Sequence, residues 1–302
     1  MALVQPIFQF SSIGTWLENL AIRPSGALLS TRLDAPEVWE ITPDTGTGLP
    51  LITIPGLNAT TGIAELAPDV FAIGAGNYSL DLGAIPQTWG IWLVDLSVSA
   101  EPRLVVDMPD VSLVNGVARL DDATLVVADS AAGKVYAVDV PGKSYALKME
   151  GEVFEPPPDG FLPIGVNGVK VLSLHDKTYL YFTNSIRQSL SRVEIDCDAN
   201  PVGEVETVAE GFVTDDFTLK EDGTAFVVTN VNNTVIRVEP DGEWAVVAGS
   251  EDSLEVAGGT ACEFGRREED RDVLYVVTGG AVLFPVNGVS EPAKVVGIHF
   301  EG

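Results

Sequence analysis

The sequence predicts an all-β fold, a six-bladed propeller of four-stranded antiparallel blades. One phrase recurs six times: a polar residue, a short strand, a turn, a stronger strand ending in a small polar residue, a loop and a third strand. Taking Glu18, Thr61, Asn115, Asn167, Asp215 and Thr260 as equivalent starts, the spacings are 43, 54, 52, 48 and 45 residues. Periods of roughly 40–50 residues built from β units are the signature of propeller blades. No long window carries the 3.6-residue periodicity of a helix.

The copies follow in order. Blade one reads LENLAIRPSGALLSTR then EVWEITP, and blade two TTGIAELAPDVFAIGAGN then, after a longer loop, WGIWLVDLS. Blade three is VNGVARLDDATLVVADS with KVYAVDV, and blade four VNGVKVLSLHDKTYLYFTNS with LSRVEID. Blade five is TDDFTLKEDGTAFVVTN with TVIRVEP. The last is GGTACEFGRREEDRDVLYVVTGG, with AVLFPVN expected as its third strand. Runs such as TLVVADS, YLYFTNS and TAFVVTN are rich in β-branched and aromatic residues and bounded by Gly, Asp and Asn, as strands are. They are nearly continuous in apolar residues because a middle strand is covered on both faces by the neighbouring blades. Six such units need roughly 240–300 residues, so residues 1–302 form a single propeller domain. The N-terminal IFQF and C-terminal VVGIHF are expected to pair and close the ring, since an open sheet edge is a liability. EPPPDGF (155–161) is then an inter-blade loop, and GRREEDRD (265–272) a solvated hairpin.

Composition narrows the function. The chain of 302 residues has 17 Lys+Arg against 44 Asp+Glu, a net charge of −27, and 46% hydrophobic residues. That balance excludes nucleic acid or an anionic membrane bound through a basic face. No apolar run approaches the ~18–20 residues of a membrane span. The start, MALVQPIFQF, lacks the basic and apolar regions of a signal peptide. Sequons at Asn58, Asn77 and Asn232 leave secretion open, so the sequence assigns no compartment. Cys197 and Cys262 are expected to be two separate thiols. The acidic turns EDGT, REEDRD and DDAT fall at the face opposite the expected site, which makes the charge a matter of solubility and the ligand neutral and apolar.

Propeller topology brings the loops entering each innermost strand and those following each second strand to one end of the central channel. They supply Glu18, Asn115, Asn167 and Asp215, joined by Arg32, Asn77, Asp129, Asn184 and Asn230. Glu18, Asn115, Asn167 and Asp215 have the carboxylate and amide oxygens that a hard divalent cation takes. Trp16, Tyr78, Trp89 and Phe161 fall near the same rim, and the long segment Gly76–Gly90 is expected to cover the channel. His175 and His299 fall away from that mouth, so a Ser-His-Asp triad or a His-ligated zinc lacks its imidazole. No nucleotide-binding glycine motif is present.

The segments WLENLAIRPSG, LVNGVARL, GVNGVKV and VTDDFTLKEDGTAFVVTN resemble the SMP-30/gluconolactonase-like six-bladed propellers, particularly their fungal branch. The resemblance covers essentially the whole chain. For the lactonase members it implies a divalent metal, Ca or Zn, on Glu18, Asn115, Asn167 and Asp215; Asp216 competes with Asp215 because TDDF stands where those enzymes have Asp-Gly. For the fungal branch it implies a hetero-Diels–Alder cycloaddition between a tropolone-type quinone methide and a macrocyclic sesquiterpene, with no cofactor required. Under that expectation Asn115, Asn167, Asn184 and Arg32 make the catalytic polar contacts. Trp16, Tyr78, Trp89, Phe161, Asn77 and Asn230 bind the hydrophobic small-molecule partners. A metal-dependent lactonase is the alternative, and a non-catalytic binding propeller the third.

Overall fold

A computed structural model describes residues 2–300. Six four-stranded antiparallel sheets stand around a central channel, each running from its innermost to its outermost strand in chain order. The last sheet alone breaks that order. Its outermost strand is the N-terminal Leu3–Gln9, paired with Lys294–His299 in the register Leu3↔His299 to Gln9↔Lys294. The two ends of the chain therefore close the ring, and the expected pairing is present.

Each middle strand is sequestered because it lies between blades: Thr124–Asp129 and Ala225–Thr229 are buried almost throughout. The apolar clusters lie between blades rather than within them. Trp89, Leu125 and Tyr136, for example, belong to one cluster joining blades two and three. Burying a side chain of this size contributes about 1.5–3 kcal/mol, so the blades hold one another in place.

The innermost strands share a defect that positions the site. Their register with the second strand slips between Leu17 and Leu20, Thr60 and Ile63, Val114 and Val117, Val166 and Val169, and Gly259 and Ala261. In blade five the regular strand starts only at Phe217, after Asp215 and Asp216. The five bulges fall on repeat-starting positions, and the sixth such position, Asp215, lies just before its strand. A bulge leaves residues outside the ladder and re-aims their side chains. Two of the six are spent on assembly: Thr61 donates its hydroxyl to the Val114 carbonyl at 2.8 Å, and Thr260 to that of Leu17 at 2.8 Å. Both bonds join one blade to the next. The other four, Glu18, Asn115, Asn167 and Asp215, turn toward the channel.

The structure corrects three expectations. AVLFPVN is not a strand; the third strand of the last blade is Lys294–His299, and residues 281–287 form a mouth loop. Pro285 and the left-handed backbone at Gly280, Ala281, Asn287 and Gly288 prevent regular pairing there. Gly76–Gly90 is not a loose cover but the two arms of a hairpin, Val70–Ser79 and Gly83–Asp95, turning at residues 80–82. GRREEDRD is more than a solvated turn: Arg267 forks onto Asp44 at 2.8 and 2.9 Å, and Arg266 bonds Glu65 and the Ile22 carbonyl. The acidic turns 121–123 and 221–223 do lie at the end of the blades away from the bulges. Cys197 is exposed and Cys262 buried, both as thiols. No helix of the described residues is long and apolar enough to cross a membrane.

Candidate functional site

Glu18, Asn115, Asn167 and Asp215 line one cavity of about 390 Å³ at the channel mouth, together with Asn230, Trp16 and Tyr78. Its walls are apolar: Leu80, Leu82 and Ala84 come from the blade-two hairpin, Leu162 to Ile164 from the inter-blade loop, and Leu283 and Phe284 from the last blade. Amides and carboxyls floor it.

The floor groups differ in how firmly they are held. Asp215 accepts from Asn167 Nδ2 at 2.9 Å and from Asn230 Nδ2 at 3.2 Å, and Asn167 also donates to Ser185 Oγ at 2.8 Å. Glu18 accepts the indole N–H of Trp16 at 2.5 Å. The Asn115 carboxamide and the Tyr78 hydroxyl make no hydrogen bond to the described residues and keep their donors for whatever enters. Burial raises the Glu18 carboxyl to about 7; the Trp16 indole pulls it down and Asp216 pushes it up. Burial, then the charges of Glu18 and Asp216, hold Asp215 well above the usual carboxylate range despite its two amide donors. Burial and the nearby Glu18 also raise the Tyr78 phenol.

Asp216 does not share this position. Its carboxylate points beneath the floor, accepting from Asn19 Nδ2 at 2.7 Å with Lys170 Nζ at 3.6 Å. It packs so tightly on Gly168 that a Cβ there would lie 2.2 Å from Asp216 Oδ1. Asn19, Gly62, Gly116, Gly168 and Asp216, each one residue after a repeat-starting position, line neither the mouth cavity nor the separate cavity of about 380 Å³ beyond them. They plug the channel.

Several expected site residues stand elsewhere. Arg32 is tied to Asp34 and Glu37 and stacks over Phe10, its guanidinium 5.0 Å from the ring centre. Asn184 is fully buried, donating to the Val153 and Glu155 carbonyls at 3.0 and 3.1 Å and accepting from the Arg187 N–H. Trp89 is a core residue at 1% exposure, packed on Gly76, where a Cβ would come within 2.4 Å of the ring. Asn77 lies in the hairpin arm outside the lining. Phe161 is an outer rim residue, edge-on to Phe284 with centroids 5.9 Å apart. Arg32, Asn184 and Trp89 are consumed by ion-pair, backbone or packing needs that loop position alone does not reveal. The wall residues Leu80, Leu162 and Phe284 have no signature in the sequence, because isolated apolar residues in loops carry no periodic signal.

Asp129 is likewise structural. Its carboxylate accepts from the backbone of Ser112, Leu113 and Ala132 at 2.9, 3.0 and 3.2 Å. Asp129→Ala leaves those buried donors unpaired, so urea denaturation should show a loss of about 2–3 kcal/mol.

The cation implied by the lactonase resemblance has a donor set of suitable chemistry. Two carboxyls and two carboxamides from four blades face one cavity, and their mutual repulsion is relieved by either a proton or a cation. Glu18, Asn115, Asn167 and Asp215 are the residues that would hold it, and it would supply Lewis-acid polarisation.

No family model matches the chain. A Phoma sp. protein named as a candidate hetero-Diels–Alderase is 27% identical over 309 residues, spanning 90% of this chain and 85% of that protein. A Sarocladium schorii protein of the same name is 25% identical over 336 residues, spanning 95% and 82%. Solved structures share the fold at lower identity. A luciferin-regenerating enzyme superposes with a TM-score of 0.72 at 12% identity, over 100% of this chain and 96% of that one. A gluconolactonase from Xanthomonas campestris gives 0.67 at 13%, over 99% and 90%. The calcium-binding protein regucalcin from Agrobacterium tumefaciens gives 0.65 at 15%, over 96% and 93%. The closed ring and the comparisons lead to one statement: the chain is a six-bladed β-propeller of the fold shared by these structures, similar over most of its length to two fungal homologues named for hetero-Diels–Alder chemistry.

Proposed function

We propose that the protein catalyses a hetero-Diels–Alder cycloaddition in the mouth cavity, joining a polyketide-derived, tropolone-type quinone methide to a terpene alkene. The observation that carries this reading is a largely apolar wall above the amide floor, with free hydrogen-bond donors kept by Asn115 on the floor and Tyr78 in the wall. The heterodiene (C=C–C=O) and the alkene together exchange three π bonds for one new C–C bond, one new C–O bond and a relocated C=C. Six electrons move in a ring, and no proton or leaving group departs. Such a step needs no nucleophile and no imidazole. It needs two apolar partners held in contact, which contributes several kcal/mol. A donor aimed at the heterodiene oxygen stabilises the charge that builds there. Asn115 and the Tyr78 hydroxyl are suited to that task; Asn167, Asn230 and Asp215, bonded to one another, brace the floor.

The test supplies an ortho-quinone methide, released in situ, and a sesquiterpene alkene, with chelator present. Acceleration with a single product enantiomer is expected, and Asn115→Ala should lower kcat about 10- to 100-fold, in line with a lost hydrogen bond of about 1.4–2.7 kcal/mol. A racemic product at the uncatalysed rate would sink the proposal.

The four-blade oxygen donor set favours a second reading, metal-dependent hydrolysis of a lactone. It predicts δ-lactone turnover that chelator abolishes and calcium or zinc restores. Affinity for both partners with turnover in neither assay would mark a binding propeller.

A further inference from the structure

Beside the mouth cavity, between blades one and two, lies a smaller compartment of about 220 Å³. Trp16, Leu33, Tyr78 and Leu80 line both spaces, so a single layer of side chains has a cavity on each side. The remaining lining is Gly14, Asp34 and Asn58.

The two compartments differ in what they offer. In the smaller one the polar side chains that belong to it alone, Asn58 and Asp34, are already engaged. Asn58 Nδ2 donates to the Tyr78 carbonyl at 3.1 Å, and its Oδ1 accepts the Tyr78 N–H at 2.7 Å. Asp34 accepts from the Trp16 N–H at 2.9 Å and from the Arg32 guanidinium. What is left for a guest is indole, phenol ring and leucine. The mouth cavity, in contrast, holds the free Asn115 carboxamide on its floor. One space suits a carbonyl and the other suits a hydrocarbon.

Size points the same way. Ligand pockets commonly run from roughly 300 to 1,000 Å³; the mouth cavity alone is near the lower bound, and a bimolecular reaction must house two guests. The two compartments together fall well inside the range. The divider ends at the hairpin turn, where Leu80 is 52% exposed and so not packed on every side.

We propose that this compartment is the subsite for the alkene partner, delivering the hydrocarbon across the Tyr78–Leu80 wall to a heterodiene seated on the Asn115 floor. The assignment of guests rests on the cycloaddition reading; the existence of two chemically distinct subsites does not.

The test uses two probes, cis-cyclooctene for the compartment and 2-hydroxyacetophenone for the floor, followed by saturation-transfer NMR on the full chain. Both should bind at once, neither shifting the other's apparent Kd by more than twofold. Gly14→Phe adds bulk where nothing lies within 4 Å of a Cβ, and Gly14 lines only the smaller space. It should weaken cyclooctene at least tenfold and leave the ketone unchanged. Because Gly14 has a φ of +94° and the variant carries backbone strain, Leu80→Trp, at a residue lining both spaces, provides a second filling variant, expected to weaken cyclooctene at least as much as the ketone. Competition between the probes, no cyclooctene binding, or undiminished binding to both variants would overturn the subsite. Simultaneous binding without cycloaddition turnover would leave the two subsites standing and fail the reaction instead.

Discussion

In chelator at pH 8, Glu18→Gln should unfold about 5 °C above the native chain, and the difference should vanish below pH 4.5. The Glu18 carboxyl has an ordinary value of 4.5 when unfolded and is pushed up to about 7 by burial when folded. The folded state therefore holds its proton more tightly, and stability falls as pH rises between those values. Each unit of difference is about 1.4 kcal/mol, so above pH 7 the charged form carries a penalty of about 3 kcal/mol. In a chain of this size that corresponds to roughly 2 °C per kcal/mol. Glutamine removes the ionisation and still accepts the Trp16 indole N–H through its amide oxygen. Thermal melts across pH 4 to 9 provide the check, and identical curves at pH 8 would refute the burial argument. Calcium added at pH 8 should stabilise the native chain and not the variant if the four-blade donor set takes a cation.

Gly62→Ala should be the most damaging single-methyl change in the channel. A Cβ there would stand 2.1 Å from the Asn115 carbonyl oxygen and 2.7 Å from the Val117 nitrogen. Both are backbone atoms of the next blade, with no flexible side chain to yield. Overpacking of this kind costs about 3 kcal/mol, the upper end of its usual range. The displaced backbone carries Asn115, so activity should fall along with stability. Gly203→Ala, where the nearest atom is a Cβ at 3.7 Å, serves as the control and should stay within about 0.5 kcal/mol. Urea denaturation of both variants measures the contrast; equal midpoints would remove the close-approach argument.

The repeat made the blades legible because each strand run had to satisfy the same sandwich of neighbours six times over. The floor was legible for a related reason: four polar residues occupy the repeat-starting position in register, while Thr61 and Thr260 fill the same position with side chains suited to bonding the next blade. What stayed hidden depended on partners far away in sequence. Asn184 looks like a mouth residue until Val153 and Glu155 claim its amide. Arg32 looks free until Glu37 and Phe10 take it. AVLFPVN has the composition of a strand, yet the place it would occupy goes to Lys294–His299, whose outer partner is the first strand of the chain. Composition within a segment cannot report a competitor of that kind.

The pairing of Leu3–Gln9 with Lys294–His299 has a kinetic consequence. Every other blade is assembled from neighbouring strands and can form while the chain is still being synthesised. The last cannot, because its outer strand is the first of the propeller strands and the strand it pairs with is the last of them. Joining such distant ends costs loop-closure entropy that no local contact offsets, and non-local pairing of this kind slows folding. Until it happens, Lys294–His299 presents a bare edge to other chains. Ring closure is thus the expected slow step, and the interval before it is when the protein is most exposed to misassociation.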